Sequence, residues 1–334
     1  MVTMRDVALA AGVSTSTVSH VVNSTRHVSD RTADRVRQAI ESTGYRHNSV
    51  ARSLATSTTK TVGLAIAALT NPYFGPLVHA LEDHFVSAGY SLVFGDTHDE
   101  PARESRVVDQ MLDRRVDGIL LAPSPGAGDD VLPRIARSGT PLVLVDRFAD
   151  TDCDQVAPEN TASVRMLVHH LATLGHIRVA AVTGLAGLHS TLERTTAMRT
   201  AVTDLGLDDD PRLLAAGNST THDARAAVRD LFGRANRPTA VVVLNNAMTI
   251  GTMRALRDVG LRVPDDVALV CFDDFEWADL FEPRLTAVRQ DVPTMGALAV
   301  DLLLARIAEP VRPTQRLRVA TSFQHRSSCG CASS

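Results

Sequence analysis

Two groups of side chains in this 334-residue chain have the types and spacing to do chemistry, and in both the chemistry is hydrogen bonding rather than bond making. The first is Thr15, Ser16, Ser19 and His20, short polar residues on the outward side of a short stretch of helical periodicity. Laid in a major groove, such a helix brings hydroxyls and an imidazole to base edges and phosphates. The second group shares only its position after short apolar runs: Asn71, Tyr73 and Phe74; Asp146; Ser190 and Arg194; Asn245; Asp273 and Trp277. Amides, carboxylates and a guanidinium grip hydroxyls from two directions while an aromatic face stacks on a ring, which suits a polyol or a nucleoside. Each also has an ordinary explanation: Asp146 and Asp273 as loop caps, Arg194 as partner of Glu193 or Asp204, Trp277 as core. The chain carries no HExxH, Walker A or GxSxG sequence, so neither an enzyme nor a cofactor is expected. Cys153, Cys271, Cys329 and Cys331 are too few and too irregular for a disulfide framework. A lone CxC at 329–331, with His169, His170 and His176 at the edge of a helix, leads to no expected metal site.

The first group needs a scaffold, and residues 3–46 supply one. Thr3 caps a helix with Asp6 three residues on, Val7, Ala10 and Ala11 form its stripe, and Gly12 ends it. Val13 plugs the corner, Ser14 caps a second helix, and Val18, Val21 and Val22 face inward. Ser29 caps a third helix whose Ala33, Val36, Ala39 and Ile40 close a small core before Gly44. Charge follows the same division. Residues 1–60 hold eight Lys or Arg against four acids, a head of +4 on a chain of net −4, so the remainder is −8. A basic module on an acidic body is the footprint of one end that meets a polyanion. Between them, residues 48–55 read as one or two helical turns running into a Ser/Thr-rich linker, too short to be stable alone. Either the segment folds on docking, with Leu54 wedged into a minor groove, or it is a plain linker whose leucine packs on the body.

The second group needs strand ends. From Thr61 the chain alternates short apolar runs (TVGLAIAAL, YSLVFG, VDGILLA, PLVLVD) with helix-length amphipathic stretches, and a second such series begins near Asn160. This is βα repetition, hence parallel sheets covered by helices. Two lobes side by side make a cleft, and open α/β sheets bind ligands outside the carboxyl ends of their strands. At 44% hydrophobic residues the chain can build two or three cores. No apolar run reaches the roughly 18 residues of a membrane span, and the start lacks a secretory h-region. A cytoplasmic protein without a membrane partner is expected.

The segments DVALAAGVSTSTVSHVVN, VSDRTADRVRQAIESTGY and NSVARSL before TVGLAI resemble the headpiece and hinge of the LacI family of bacterial transcription regulators. VDGILLAPS, LATLGHIRVAAVTG, VPDDVALVCFDDFEWADLFEPRLTAVRQD and HRSS extend the likeness over essentially the whole chain, into a core similar to periplasmic sugar-binding proteins. The resemblance implies an α/β protein with an all-α helix-turn-helix headpiece (1–46), a hinge helix and linker (47–60) and a two-lobed effector-binding and dimerisation core (61–334). Lobe one would comprise about 61–159 plus 290–326, and lobe two about 160–289. It implies base-reading roles for Thr15, Ser16 and His20, backbone contacts for Ser14, Ser19, Asn23, Ser29, Thr32 and Tyr45, and hinge roles for Asn48, Ala51 and Leu54. Thr3 and Arg5 complete the expected DNA-binding set. Arg194, Asn245, Asp273 and Gln290 map to the effector cleft, with Ser190 and Trp277 nearby. Departures are His20 for the usual arginine, His47 for the proline before the hinge asparagine, Glu159 and Asn246 for aspartates, and Cys271 for glycine. The implied protein is a homodimeric repressor of operator DNA controlled by a sugar or nucleoside, as inducer or, with the opposite sign, corepressor. Residues 327–334 show no heptad that would build a tetramer. The rival readings are a sugar-binding protein or an α/β enzyme with an accessory head. A secreted carrier would need a signal peptide and no head, and a nucleoid binder would need no cleft.

Overall fold

Three helices form where caps and apolar periodicity call for them: α1 (Met4–Ala11), α2 (Thr15–Asn23) and α3 (Asp30–Thr43). The computed structural model describes residues 2–23, 26–45, 58–67, 71–280 and 282–331. The Asp6 carboxylate accepts from the backbone N–H of Thr3 at 2.7 Å and from its hydroxyl at 2.8 Å, fixing the start of α1. Gly12 then turns the chain at φ 62°, a left-handed conformation that costs glycine little. Arg35 of α3 donates to the carbonyls of Ala11 and Gly12, so this member of the basic head serves the fold. The Ser14 hydroxyl accepts from the Thr17 N–H at 3.1 Å and starts α2. Val7, Ala8, Ala11, Val18, Val36, Ala39 and Tyr45 form the core. Ala10, expected inside, is exposed and Ala8 is buried instead, so Val7, Ala8 and Ala11 form the face of α1 that enters the core.

Head and body are separate units, residues 1–59 and 60–334. In the body, short Val/Leu/Ile runs without alternation are buried on both faces, as parallel strands are. The first sheet contains β1 (Thr61–Ile66), β2 (Ser91–Asp96), β3 (Gly118–Leu121), β4 (Leu142–Val145), β5 (Asp154–Pro158) and β11 (Arg316–Val319), in the order β11-β5-β4-β3-β1-β2 and parallel throughout. The second contains β6 (Val179–Thr183), β7 (Leu214–Ala216), β8 (Ala240–Val243), β9 (Ala268–Phe272), β10 (Thr286–Gln290) and β12 (Thr321–Gln324), in the order β12-β10-β9-β8-β6-β7. Only its β10–β12 pair is antiparallel. The helices are α4 (Phe74–Ser87), α5 (Pro101–Asp113), α6 (Val131–Ser138), α7 (Thr161–Thr173), α8 (His189–Asp204), α9 (Thr221–Phe232), α10 (Asn246–Asp258) and α11 (Val292–Ala308). Among the described residues, no helix is long and apolar enough to cross a membrane.

The chain passes between lobes after β5, after β10 and after β11. Helix α11 packs on α4, and β11 closes the edge of the first sheet. The expected return of 290–326 to lobe one is corrected at its end: β12 pairs with β10, and Ser328 bonds the Leu269 carbonyl at 2.7 Å and the Thr286 N–H at 2.8 Å in lobe two. The apolar pattern could not announce this, because β12 is a partly exposed edge strand. Strand β5, DQVAP, likewise carries no apolar run, and it owes its burial to neighbours on both sides.

Candidate functional site

Each sheet ends in an aspartate with unusual backbone. Asp146 follows β4 at φ 71° and Asp273 follows β9 at φ 76°, a left-handed region that aspartate tolerates better than most residues. The two lobes thus present a carboxylate from equivalent places. Around them lies a narrow cleft, placed where open α/β sheets bind their ligands. Its walls bring together Asn71, Tyr73, Phe74, Asp146, Ser190, Arg194, Asn245, Asp273 and Gln290 from the sequence reading, and add Arg147, Leu188, Thr191, Ser219 and Leu244.

Arg194 projects from α8 and is 7% exposed. Its Nε donates to Asn160 Oδ1 at 2.8 Å, its Nη1 donates to the Leu244 carbonyl at 2.6 Å, and its plane lies 3.6 Å from the centre of the Phe272 ring. It pairs with neither of the acids the sequence offered. Glu193 binds Asn160 Nδ2 at 2.7 Å and Arg318, while Asp204 pairs with Arg165 at 2.9 Å. Asp273 accepts from Gln290 Nε2 at 2.5 Å, and burial pushes its carboxyl up against the pull of Arg194. The other amide atom, Gln290 Oε1, is buried without a hydrogen-bond partner. Asn245 accepts from the Met248 N–H at 2.9 Å, a helix cap that also fixes its amide on the cleft wall.

Lobe one mirrors this arrangement. Arg147 sits 3.2 Å from the Asp146 carboxylate and also pairs with Asp99; burial disfavours its charge, but the two carboxylates outweigh that and raise its value. Tyr73, anchored by an Asn71 side-chain bond to its N–H at 3.2 Å, stands edge-on to Phe74 with centroids 5.0 Å apart. Burial, then the Asp146 and Asp273 charges, hold its phenol well above the ordinary value. Two carboxylates and two guanidinium groups, Asp146, Asp273, Arg147 and Arg194, balance the charge of the walls. The lobes also touch beside it: Arg318 of β11 holds Glu193 of α8, and Phe148 lies under Arg318 and edge-on to His189.

Trp277 is not in the cleft. It sits 47% exposed on the short turn Glu276–Asp279, edge-on to Phe275 at 5.5 Å. Arg147 and Thr191 were legible in principle, since each adjoins a residue that was read.

In the head, Thr3, Arg5, Ser14, Thr15, Ser16 and Ser29 are exposed, and Ser19, His20 and Thr32 are half-buried. Ser14, His20, Ser29 and Thr32 line one open groove with Arg26 and His27. Tyr45 is 9% exposed in the head core. Asn23 closes α2, but its side chain, like Asn48, Ala51 and Leu54, lies outside the described residues.

Residues 3–48 match the model of bacterial regulatory proteins of the lacI family, and residues 168–329 match that of a periplasmic binding protein-like domain. The chain is 34% identical to the ribose operon repressor of Escherichia coli (strain K12) over 98% of this chain and all of that protein. It is 30% identical to the HTH-type transcriptional repressor PurR of Photobacterium profundum, over 92% and 93% of the two chains. Among solved structures it resembles the lac repressor dimer bound to operator and the anti-inducer ONPF, with TM-score 0.87, 27% identity and coverage of 98% and 99%. A transcriptional regulator CelR–cellobiose complex matches with TM-score 0.74 and 29% identity over 98% and 100%.

Proposed function

This chain belongs to the lacI family of bacterial regulatory proteins, and we propose that it is a cytoplasmic, dimeric transcription repressor that leaves its operator when a neutral sugar enters the cleft. The observation that carries the choice of ligand is a cleft lined by both charge signs in which the Gln290 amide oxygen has no partner. Gln290 Oε1 is buried without a partner on a wall where Asp273, Asp146 and Asn245 converge. An unpaired buried acceptor costs about 1–3 kcal/mol, and a ligand hydroxyl removes that cost. Tyr73 and Phe74 would cover the apolar side of a sugar ring, and Arg194 would donate to a ring or hydroxyl oxygen. The relatives support this: two are repressors, one of them of a ribose operon, and one related structure holds cellobiose.

Two heads of a dimer would read the two halves of a near-palindromic operator. Thr15, Ser16 and His20 would meet base edges, and Thr3, Arg5, Ser14, Ser19, Asn23, Ser29, Thr32 and Tyr45 would meet the backbone. Asn48 and Ala51 would belong to the hinge helix, and Leu54 would open the central base step. Ligand bridging Asp146 and Asp273 favours the closed arrangement of the lobes. If DNA favours the other arrangement, linkage lowers operator affinity by the same factor by which DNA lowers ligand affinity.

The test joins calorimetric titration against neutral sugars and nucleosides with operator gel shifts at fixed salt. A neutral sugar should bind and weaken the operator complex, and Arg194→Ala should lose that response while retaining operator affinity. Tight binding of anions alone, or a sugar that strengthens the operator complex, contradicts the reading.

A further inference from the structure

We propose that His170, His325, Cys329 and Cys331 form a tetrahedral site for one Zn²⁺ ion, which fastens the end of the chain to α7. The sequence leaves these residues in two unrelated places, and the return of the tail to lobe two brings them together. His170 lies on α7, and the other three lie in the segment that follows β12. Their donor atoms all fall within 4.8 Å of one another. His170 Nε2 is 3.6 Å from Cys331 Sγ. Zinc bonds of about 2.05 Å to nitrogen and 2.3 Å to sulfur place an N and an S ligand about 3.6 Å apart across a tetrahedron, so this pair already stands at coordination spacing.

The surroundings hold the donors in place before any ion arrives. Ser328, immediately before Cys329, bonds to both Leu269 and Thr286. Gly330 takes φ 84°, which turns the chain between the two cysteines without the strain a side chain would bring. Phe323 meets the His170 ring edge-on at 5.1 Å and stacks on His325 at 6.1 Å, and the two imidazoles are 5.4 Å apart. Two thiolates and two imidazoles, with no carboxylate, select zinc over oxygen-seeking Mg²⁺ or Ca²⁺. Four protein ligands leave no open position, so the ion is structural. His325 is exposed and Cys331 half-buried, which gives the ion a way in, and none of the four lines the sugar cleft.

Full-length protein, reduced and stripped with chelator, is titrated with Zn²⁺ and separately with Co²⁺ as the spectroscopic probe. The expected result is one equivalent per chain, thiolate-to-cobalt charge transfer with the strong visible bands of four-coordinate Co²⁺, and two thiols shielded from a thiol reagent by zinc. Thermal unfolding should shift upward with free zinc. Cys331→Ser, at the less buried cysteine, should weaken uptake by more than the roughly 10–100-fold that changes behind the ligands cause, while Cys153→Ser leaves it unchanged. His170→Ala should act like Cys331→Ser and retain both cysteines. A weak octahedral cobalt spectrum, unshielded thiols, undiminished uptake by Cys331→Ser, or a Cys329–Cys331 disulfide that forms in place of metal uptake overturns the site.

Discussion

Replacing Asp273 with asparagine removes one charge from the cleft and little else. At φ 76° the backbone is left-handed, which asparagine accepts as readily as aspartate. The amide oxygen can still accept the 2.5 Å bond from Gln290 Nε2. What disappears is the charged acceptor facing a ligand. Hydrogen bonds to charged groups contribute about 1.5–3 kcal/mol against about 0.5–1.5 for neutral pairs. One such bond therefore weakens ligand binding by about 1–2 kcal/mol, or roughly 5–30-fold in Kd. Stability moves the other way. Burial pushes the Asp273 carboxyl up, so the folded protein holds that proton more tightly than the unfolded chain. Ionisation above the ordinary aspartate range then costs stability, and asparagine escapes that cost. Calorimetric titration of the ligand, with thermal unfolding of ligand-free protein from about pH 4 to 8, measures both effects. The variant should bind ligand more weakly and melt at an equal or higher temperature at neutral pH, with the advantage shrinking as pH falls. An unchanged Kd would put Asp273 outside ligand contact. A variant clearly less stable at neutral pH would refute the burial argument.

Gly12→Ala forces a Cβ into the left-handed turn, 3.3 Å from Arg35 Nη2, and should destabilise the head by about 1–2 kcal/mol. Operator gel shifts and thermal unfolding should both register it, with ligand affinity unchanged. Glu193→Gln weakens the link between lobes. Burial pushes the Glu193 carboxyl up, but hydrogen bonds from Arg318 and Asn160 outweigh it and hold it below the ordinary glutamate value. Its contribution is therefore full above that ordinary value and lost as pH falls through the lowered one, so the variant should lose stability by about 1–3 kcal/mol at neutral pH and much less in acid. Equal melting curves at neutral pH would show that the cross-lobe pair adds nothing.

Local rules made much of this protein readable. Thr3 with Asp6, Gly12, Ser14 and Gly44 mark helix ends because capping and left-handed turns depend on a few adjacent residues. Runs such as GILL and LVLV mark parallel strands because both their faces are covered. Strand-end placement points to Asp146, Asn245 and Asp273, since α/β sheets expose functional side chains there. Gln290 came into view only through resemblance, and Trp277 was misplaced because a turn of a few residues decides whether a ring enters a cleft or passes it. Tertiary structure alone decided that Arg194 leans on Asn160 and Leu244 while its neighbour Glu193 reaches across to Arg318. It alone sent β12 back to the second sheet, and with it His325, Cys329 and Cys331 to His170. Sequence patterning records which residues avoid water and where the backbone must turn, both local demands. Which distant side chains meet depends on how the segments pack and cross between lobes, and no local pattern encodes that.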